Sequence, residues 1–254
     1  MKITFLGTGT SQGIPVIGCE CEVCGSDDPR DKRLRTSVLI EVGDKKIGVD
    51  AGPDFRQQML RAKVQNLDAL LLTHEHNDHI IGLDDVRPFN FRYKKDMPIY
   101  AVERVQAELK QRFAYIFAEN PYPGAPRLAL HTIDKDHDFR VGDIPVTPIE
   151  VLHGKMPVLG FRIADFIYVT DAKIIEAESL AKMKKAKILV LNALHFKTHH
   201  SHLNLPEALE IIEKLQPERA YLTHFSHNLG THEGISPSLP DNVFLAYDGL
   251  ELTV

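Results

Sequence analysis

The sequence predicts an α/β fold, and three observations carry that prediction. Short apolar runs of strand length recur along the chain, segments with helical spacing lie between them, and several runs end directly in His or Asp. The fullest case is the run Ala69-Leu70-Leu71-Leu72, short enough for a buried strand, which delivers Thr73-His74-Glu75-His76-Asn77-Asp78-His79. Side-chain direction repeats every two residues in an extended segment, so His74 and His76 point to one side. Asp78 and His79 follow at the turn, where further ligands can face a neighbouring point. Imidazole nitrogen with carboxylate oxygen suits Zn²⁺, Mn²⁺ or Fe better than Ca²⁺ or Mg²⁺, which favour all-oxygen shells. Packing alone has no use for such a loop at the end of a buried strand.

A chain of 254 residues, 43% of them hydrophobic, is ample for a core and suits one large domain or two small ones. Its net charge of −5 argues against a long polyanion partner, because phosphate contacts call for a basic face. The opening apolar run is too short for a signal peptide and no later run is long enough to span a bilayer, which predicts a cytoplasmic protein. All three cysteines lie between positions 19 and 24 and cannot form a secreted-type disulfide framework.

In chain order, residues 2–6 read as the first strand, followed by the glycine-rich loop Gly7-Thr8-Gly9-Thr10-Ser11-Gln12-Gly13. No Gly-Lys-Ser/Thr ending follows and no helix pattern begins there, so a nucleotide P-loop is excluded in favour of a tight turn passing close to a site. Cys19, Cys21 and Cys24 are three thiolates near enough to share a structural zinc, whose fourth ligand must come from elsewhere. Residues 37–42 and 46–49 form a hairpin turning at Gly43-Asp44. Asp50 follows it, and then a helix over residues 55–62. Residues 68–72 form the strand feeding the metal loop; residues 84–91 and 102–117 read as helices.

The second half repeats the pattern of strands ending in ligand types. Residues 144–151 lead to His153; residues 161–164 and 166–170 form a hairpin ending in Asp171. A helix over 174–184 and a strand over 186–191 precede His195, His199, His200 and His202. A helix over 205–214 and a strand over 219–222 lead to His224 and His227, and strands over 243–247 and 251–254 close the chain. If the sheets run side by side, His74, His153, Asp171 and His224 converge on one rim. His131, His137 and His232 lack a strand-end context and read as surface histidines.

With His74-x-His76-x-Asp78-His79 followed by His153, Asp171 and His224, and Asp50 matching a first motif, the chain resembles the metallo-β-lactamase superfamily across nearly its whole length. The resemblance implies a single domain over residues 1–254, folded as a four-layer αββα sandwich with two divalent metals, Zn or Mn, at the sheet edges. By that analogy His74, His76 and His153 hold one metal, Asp78, His79 and His224 the other, and Asp171 bridges them. The stretch Phe5-Leu6-Gly7-Thr8-Gly9-Thr10-Ser11, the cysteine loop and Thr223-His224-Phe225-Ser226-His227 look similar to the PhnP-type cyclic phosphodiesterases. That similarity implies a structural zinc on Cys19, Cys21, Cys24 and His227, and places a general acid at His200.

The chemistry this implies is hydrolysis of a small or cyclic phosphodiester by a metal-bridging hydroxide, with His200, His202 and Asp78 as candidate catalytic residues. A phosphodiester transition state gains from two cations and from an added imidazolium, which the histidines between 199 and 202 supply. Alternatives within the superfamily are a tRNA 3′-end endonuclease and a lactone, thioester or β-lactam hydrolase; outside it, a metal-binding module without catalysis. The expected partner is a small substrate, with no membrane and no large nucleic acid, and a homodimer is left open.

Overall fold

The computed structural model describes residues 1–254, and its architecture follows from which faces of two sheets the apolar residues occupy. The strands are β1 Lys2–Gly7, β2 Ser37–Val42, β3 Lys45–Val49, β4 Ala69–Leu71, β5 Met97–Ala101, β6 Leu128–Thr132, β7 Phe139–Val141, β8 Ile144–His153, β9 Met156–Ile163, β10 Phe166–Tyr168, β11 Ile188–Asn192, β12 Arg219–Thr223, β13 Val243–Leu245 and β14 Glu251–Thr253. They form two seven-stranded sheets, ordered β14-β1-β2-β3-β4-β5-β6 and β13-β12-β11-β10-β9-β8-β7. In each sheet an antiparallel half meets a parallel half, at β3–β4 in the first and at β10–β11 in the second.

Alternation along the strands sorts side chains between layers. Ile3 and Phe5 of β1 point between the sheets, where they join Val146, Phe161 and Tyr168 of the other sheet. Leu6 and Leu39 point outward, onto the helices Phe55–Arg61 and Glu103–Arg112. On the far side, Leu189 and Leu191 pack under the helices Ala177–Met183 and Leu205–Leu215. Three apolar interfaces therefore separate four layers, giving the αββα sandwich.

The helix Leu205–Leu215 shows how local sequence sets an element. Asn204 accepts from the Glu207 amide at 2.9 Å while Glu207 accepts from the Asn204 amide at 3.0 Å, and Pro206 sits in the first turn. Its stripe of Leu205, Ala208, Ile212 and Leu215 faces the sheet.

Some sequence expectations are corrected. The segment expected as helix from residue 84 is 3₁₀ over Ile81–Val86 and α-helix over Arg87–Tyr93. The helix expected over 102–117 stops at Arg112, because Phe113 leaves helical geometry. The helix expected from residue 174 begins at Ala177, since Ile174 instead bridges Leu152. His232 is not a surface residue: it is buried beside the Arg33 guanidinium, 3.4 Å from its Nδ1, and its amide donates to Asp31 at 2.7 Å. No helix is long and apolar enough to cross a membrane.

Candidate active site

Four strand ends place the predicted ligands. β4 leads through Leu72 and Thr73 to His74, and a single helical turn, Asn77–Ile80, carries Asp78 and His79. His153 closes β8, Asp171 lies three residues past β10, and His224 follows β12 directly. Asp50, Asp171 and His224 take left-handed backbone with φ of 64°, 57° and 59°, so the chain turns sharply at each of these rim positions. Gly52 lets two rim loops touch: a Cβ there would sit 2.0 Å from the Asp78 carbonyl oxygen.

The side chains converge. Ligand atoms of His74, His76 and His153 lie within 4.8 Å of one another, as do those of Asp78, His79 and His224, and those of His74, His79 and Asp171. Asp171 stands between the groups, with one oxygen 3.3 Å from His79 Nε2 and the other 3.2 Å from His224 Nε2. His202 adds a further group, its Nδ1 3.7 Å from Asp171.

Hydrogen bonds behind the ligands decide which nitrogens face inward. His153 Nδ1 donates to the Ser201 carbonyl at 2.8 Å, and His79 Nδ1 donates to Asp50 at 2.7 Å. Thr73 Oγ1 donates to Asp50 at 2.9 Å, so it accepts from His74 Nδ1, also at 2.9 Å. In its neutral form each of these three imidazoles therefore carries its lone pair on Nε2, the nitrogen available to a cation. Asn192 pins the turn beyond Asp171, accepting from the Ala172 amide at 2.7 Å and donating to its carbonyl at 3.0 Å.

These residues fit divalent cations. Nε2 of His79 and of His224 and Nδ1 of His202 are buried with no hydrogen-bond partner, although carboxylate oxygens stand close by. Orphaned imidazole nitrogens around carboxylates are what a cation site requires and what a sealed core avoids. The electrostatics agree. Burial depresses the basicity of His79, but Asp171, Asp50 and Asp78 outweigh it and raise its pKa well above the usual histidine value. Burial, then His79, push His74 down, and burial likewise lowers His224. Asp171 stays ionised far below its usual range, burial being overcome by His224 and His79. The carboxylates therefore stabilise positive charge at His79, while burial keeps His74 and His224 neutral.

The cavity in front has a volume of about 450 Å³, and no hydrophobic residue lines it; Ser11, Asn77, Arg112 and Ser201 complete the wall. A larger, more apolar cleft of about 650 Å³ by Tyr221 and Phe244 holds no comparable ligand cluster. His202 is buried in the cavity wall, with its ring centroid 4.4 Å from His153 and 4.8 Å from His224. His200 is exposed and does not line the cavity; it contacts His199 at 4.4 Å between centroids. Sequence reasoning missed Arg112, because an arginine late in an amphipathic helix carries no local signal of a site.

The cysteine loop forms a second group. His227 Nδ1 lies 3.2, 3.4 and 3.6 Å from the sulfurs of Cys19, Cys21 and Cys24. Tetrahedral zinc with ordinary Zn–S and Zn–N bonds separates such atoms by about 3.5 Å. The Cys24 amide, with His227, lowers Cys21 to about 6, whereas burial raises Cys24 to about 11.

The family model described as beta-lactamase superfamily domain matches residues 45–225. The chain belongs to the metallo-β-lactamase superfamily. Within that superfamily it belongs to the PhnP family: a solved structure of a PhnP-family diphosphatase superposes with a TM-score of 0.93 at 39% identity, covering 100% of this chain and 97% of that one. A Porphyromonas gingivalis protein named octanoyltransferase is 41% identical over 256 residues, which is 100% of this chain but 52% of that protein. The chain thus spans about half the length of that relative. Human short-form tRNase Z shares the fold, with a TM-score of 0.75 at 17% identity over 100% of this chain and 99% of that one.

Proposed function

We propose that the protein is a dinuclear metal-dependent hydrolase of small or cyclic phosphodiesters. The observation carrying this reading is the set of orphaned imidazole nitrogens grouped around Asp171 at the floor of a wholly polar cavity. His74, His76 and His153 would hold one cation, Asp78, His79 and His224 the other, and Asp171 faces both groups. When bound, two such cations lower the pKa of water and offset the charge that builds on a phosphoryl group.

The chain's own residues supply orientation and protons. Asp50 and Ser201 fix the ligating imidazoles through their Nδ1 atoms. His202 is the added imidazole lining the cavity, so it, rather than the exposed His200, is in place to meet a phosphoryl oxygen. Burial and His224 hold it neutral, its pKa pushed down to about 2. A phosphoryl anion arriving beside it favours the protonated form and so prepares it to donate to a leaving oxygen. An all-oxygen and nitrogen ligand set, with no thiolate in the cavity, supports hard phosphate oxygens over soft ligands.

We further propose that Cys19, Cys21, Cys24 and His227 hold a structural zinc that ties the early loop to the segment after β12. A net charge of −5 supports a small substrate over a long nucleic acid. Turnover of bis(p-nitrophenyl) phosphate and 2′,3′-cyclic nucleotides by protein loaded with Zn²⁺ or Mn²⁺ tests the reading. Hydrolysis of lactones, thioesters or β-lactams with no phosphodiester turnover would overturn it. His202→Ala should lower phosphodiester turnover far more than His200→Ala; the reverse order would return the acid to His200.

A further inference from the structure

Side chains alternate in direction along the metal loop, so Glu75 points away from the side that His74 and His76 share. It reaches instead to the Arg104 guanidinium. The Glu75 side chain is 13% exposed and its second oxygen is buried with no partner, so Arg104 is the cation that offsets its charge. The other terminal nitrogen of Arg104 donates to the Pro157 carbonyl at 2.6 Å. Pro157 pairs with Leu152 across the β8–β9 hairpin, one residue before His153. From the first turn of the helix Glu103–Arg112, Arg104 therefore grips both the loop carrying His74 and His76 and the hairpin carrying His153.

The three ligands of that group differ in what holds them. His74 and His153 are aimed through their Nδ1 atoms by Thr73 and Ser201. His76 is exposed, and its ring's one hydrogen-bond contact is with His74, 3.0 Å from its Nδ1. Its direction is thus left to the backbone, which the neighbouring Glu75 ties down. A stabilising ion pair alone explains this poorly, because Arg104 is 37% exposed and such a pair is a weak tether for a whole fold. The other group stands elsewhere: Asp78 and His79 lie on the turn Asn77–Ile80, His224 follows β12, and Arg104 bonds to none of them.

The geometry points to Arg104 as a positioning residue: through Glu75 and Pro157 it sets the spacing of His74 and His76 from His153. It thereby tunes how tightly that one ligand group holds its cation, while the group of Asp78, His79 and His224 is left alone. This rests on the two-cation reading of the cavity, and Arg104 itself touches neither cation nor substrate.

The test is zinc affinity, measured by competition with a chromogenic chelator, in two backgrounds. His224→Ala disables the second group and His153→Ala the first; the cysteine group is common to both. Arg104→Ala should weaken zinc in the His224→Ala background about 10- to 100-fold, and in the His153→Ala background by less than about 3-fold. Arg104→Lys should fall between, keeping the charge but losing the fork that spans two segments. Glu75→Gln, which keeps the shape and an acceptor oxygen, should shift the same background in the same direction by a smaller factor and guards against simple misfolding. Equal losses in both backgrounds, a loss under about 3-fold in His224→Ala, or no cavity zinc in His224→Ala with Arg104 intact overturns the inference. Turnover of bis(p-nitrophenyl) phosphate by the zinc-loaded wild type, run in parallel, separates the two readings. Selective weakening without turnover sinks the phosphodiesterase reading alone, and turnover with equal losses sinks the Arg104 inference alone.

Discussion

The cavity and the cysteine loop each gather four or more ligand-type side chains, yet they are built in opposite ways. The cavity ligands hang from the ends of sandwich strands, and most are fully buried: His74 and His79 are 0% exposed, His224 1% and Asp171 2%. His79, His74 and His153 are held from behind by Asp50, Thr73 and Ser201, and Asn192 pins the turn after Asp171. The cysteine loop has one helical turn, Glu22–Gly25, a core of only Ile14, Val23 and Cys24, and an exposed Cys21. The first is geometry prepared by folding, whereas the second has so small a core that the proposed zinc would supply much of its local order.

The sharpest way to break this contrast is Asp171→Ala. Removing the carboxylate that faces both ligand groups should lower kcat at least ~10³-fold while the sandwich stays folded. A kcat near that of wild type would contradict a two-cation site. Next comes Asp50→Ala, which strips support from His79 and Thr73 at once and should destabilise the fold by about 3 kcal/mol in denaturant unfolding. A loss under about 0.5 kcal/mol would mean that the ligands are not held from behind.

Cys21→Ser probes the other region. It should lower the melting temperature by roughly 5 °C, as a loss of about 2 kcal/mol implies for a chain of this length, while kcat stays within about 3-fold of wild type. Lost activity at an unchanged melting temperature would put the cysteine loop inside the active site. The smallest effect concerns His232, which burial and then Arg33 lower to about 4 from its ordinary 6.5. Its folded pKa is depressed, so its neutral form contributes fully above pH 6.5, and that contribution is lost as pH falls towards 4. His232 borders the open cleft by Tyr221, so about 1–2 kcal/mol is expected. Comparing wild type with His232→Gln across that window checks it, and parallel curves would remove the effect.

The same contrast explains what was legible in the sequence. His74, His76, Asp78 and His79 stand in one short stretch after a fully buried run, and Asp171 and His224 follow buried strands, so pattern and chemistry coincide. The hairpin β2–β3 announced itself through its turn at Gly43-Asp44. β5, β6 and β7 did not: β5 contains Pro98, β6 is half exposed with no clean alternation, and β7 has three residues. His202 and His200 could not be separated by sequence, because only the fold puts one in the cavity wall and the other in solvent. Arg112 and the buried His232 were invisible for a related reason: their surroundings come from segments far away in the chain.

The most direct measurement is the metal content of purified wild type, Asp171→Ala and Cys21→Ser by mass spectrometry. Two independent sites predict about three metals per chain in wild type, two in Cys21→Ser and one in Asp171→Ala. An Asp171→Ala protein that keeps the wild-type count, or a Cys21→Ser protein that loses the cavity metals as well, would contradict the account.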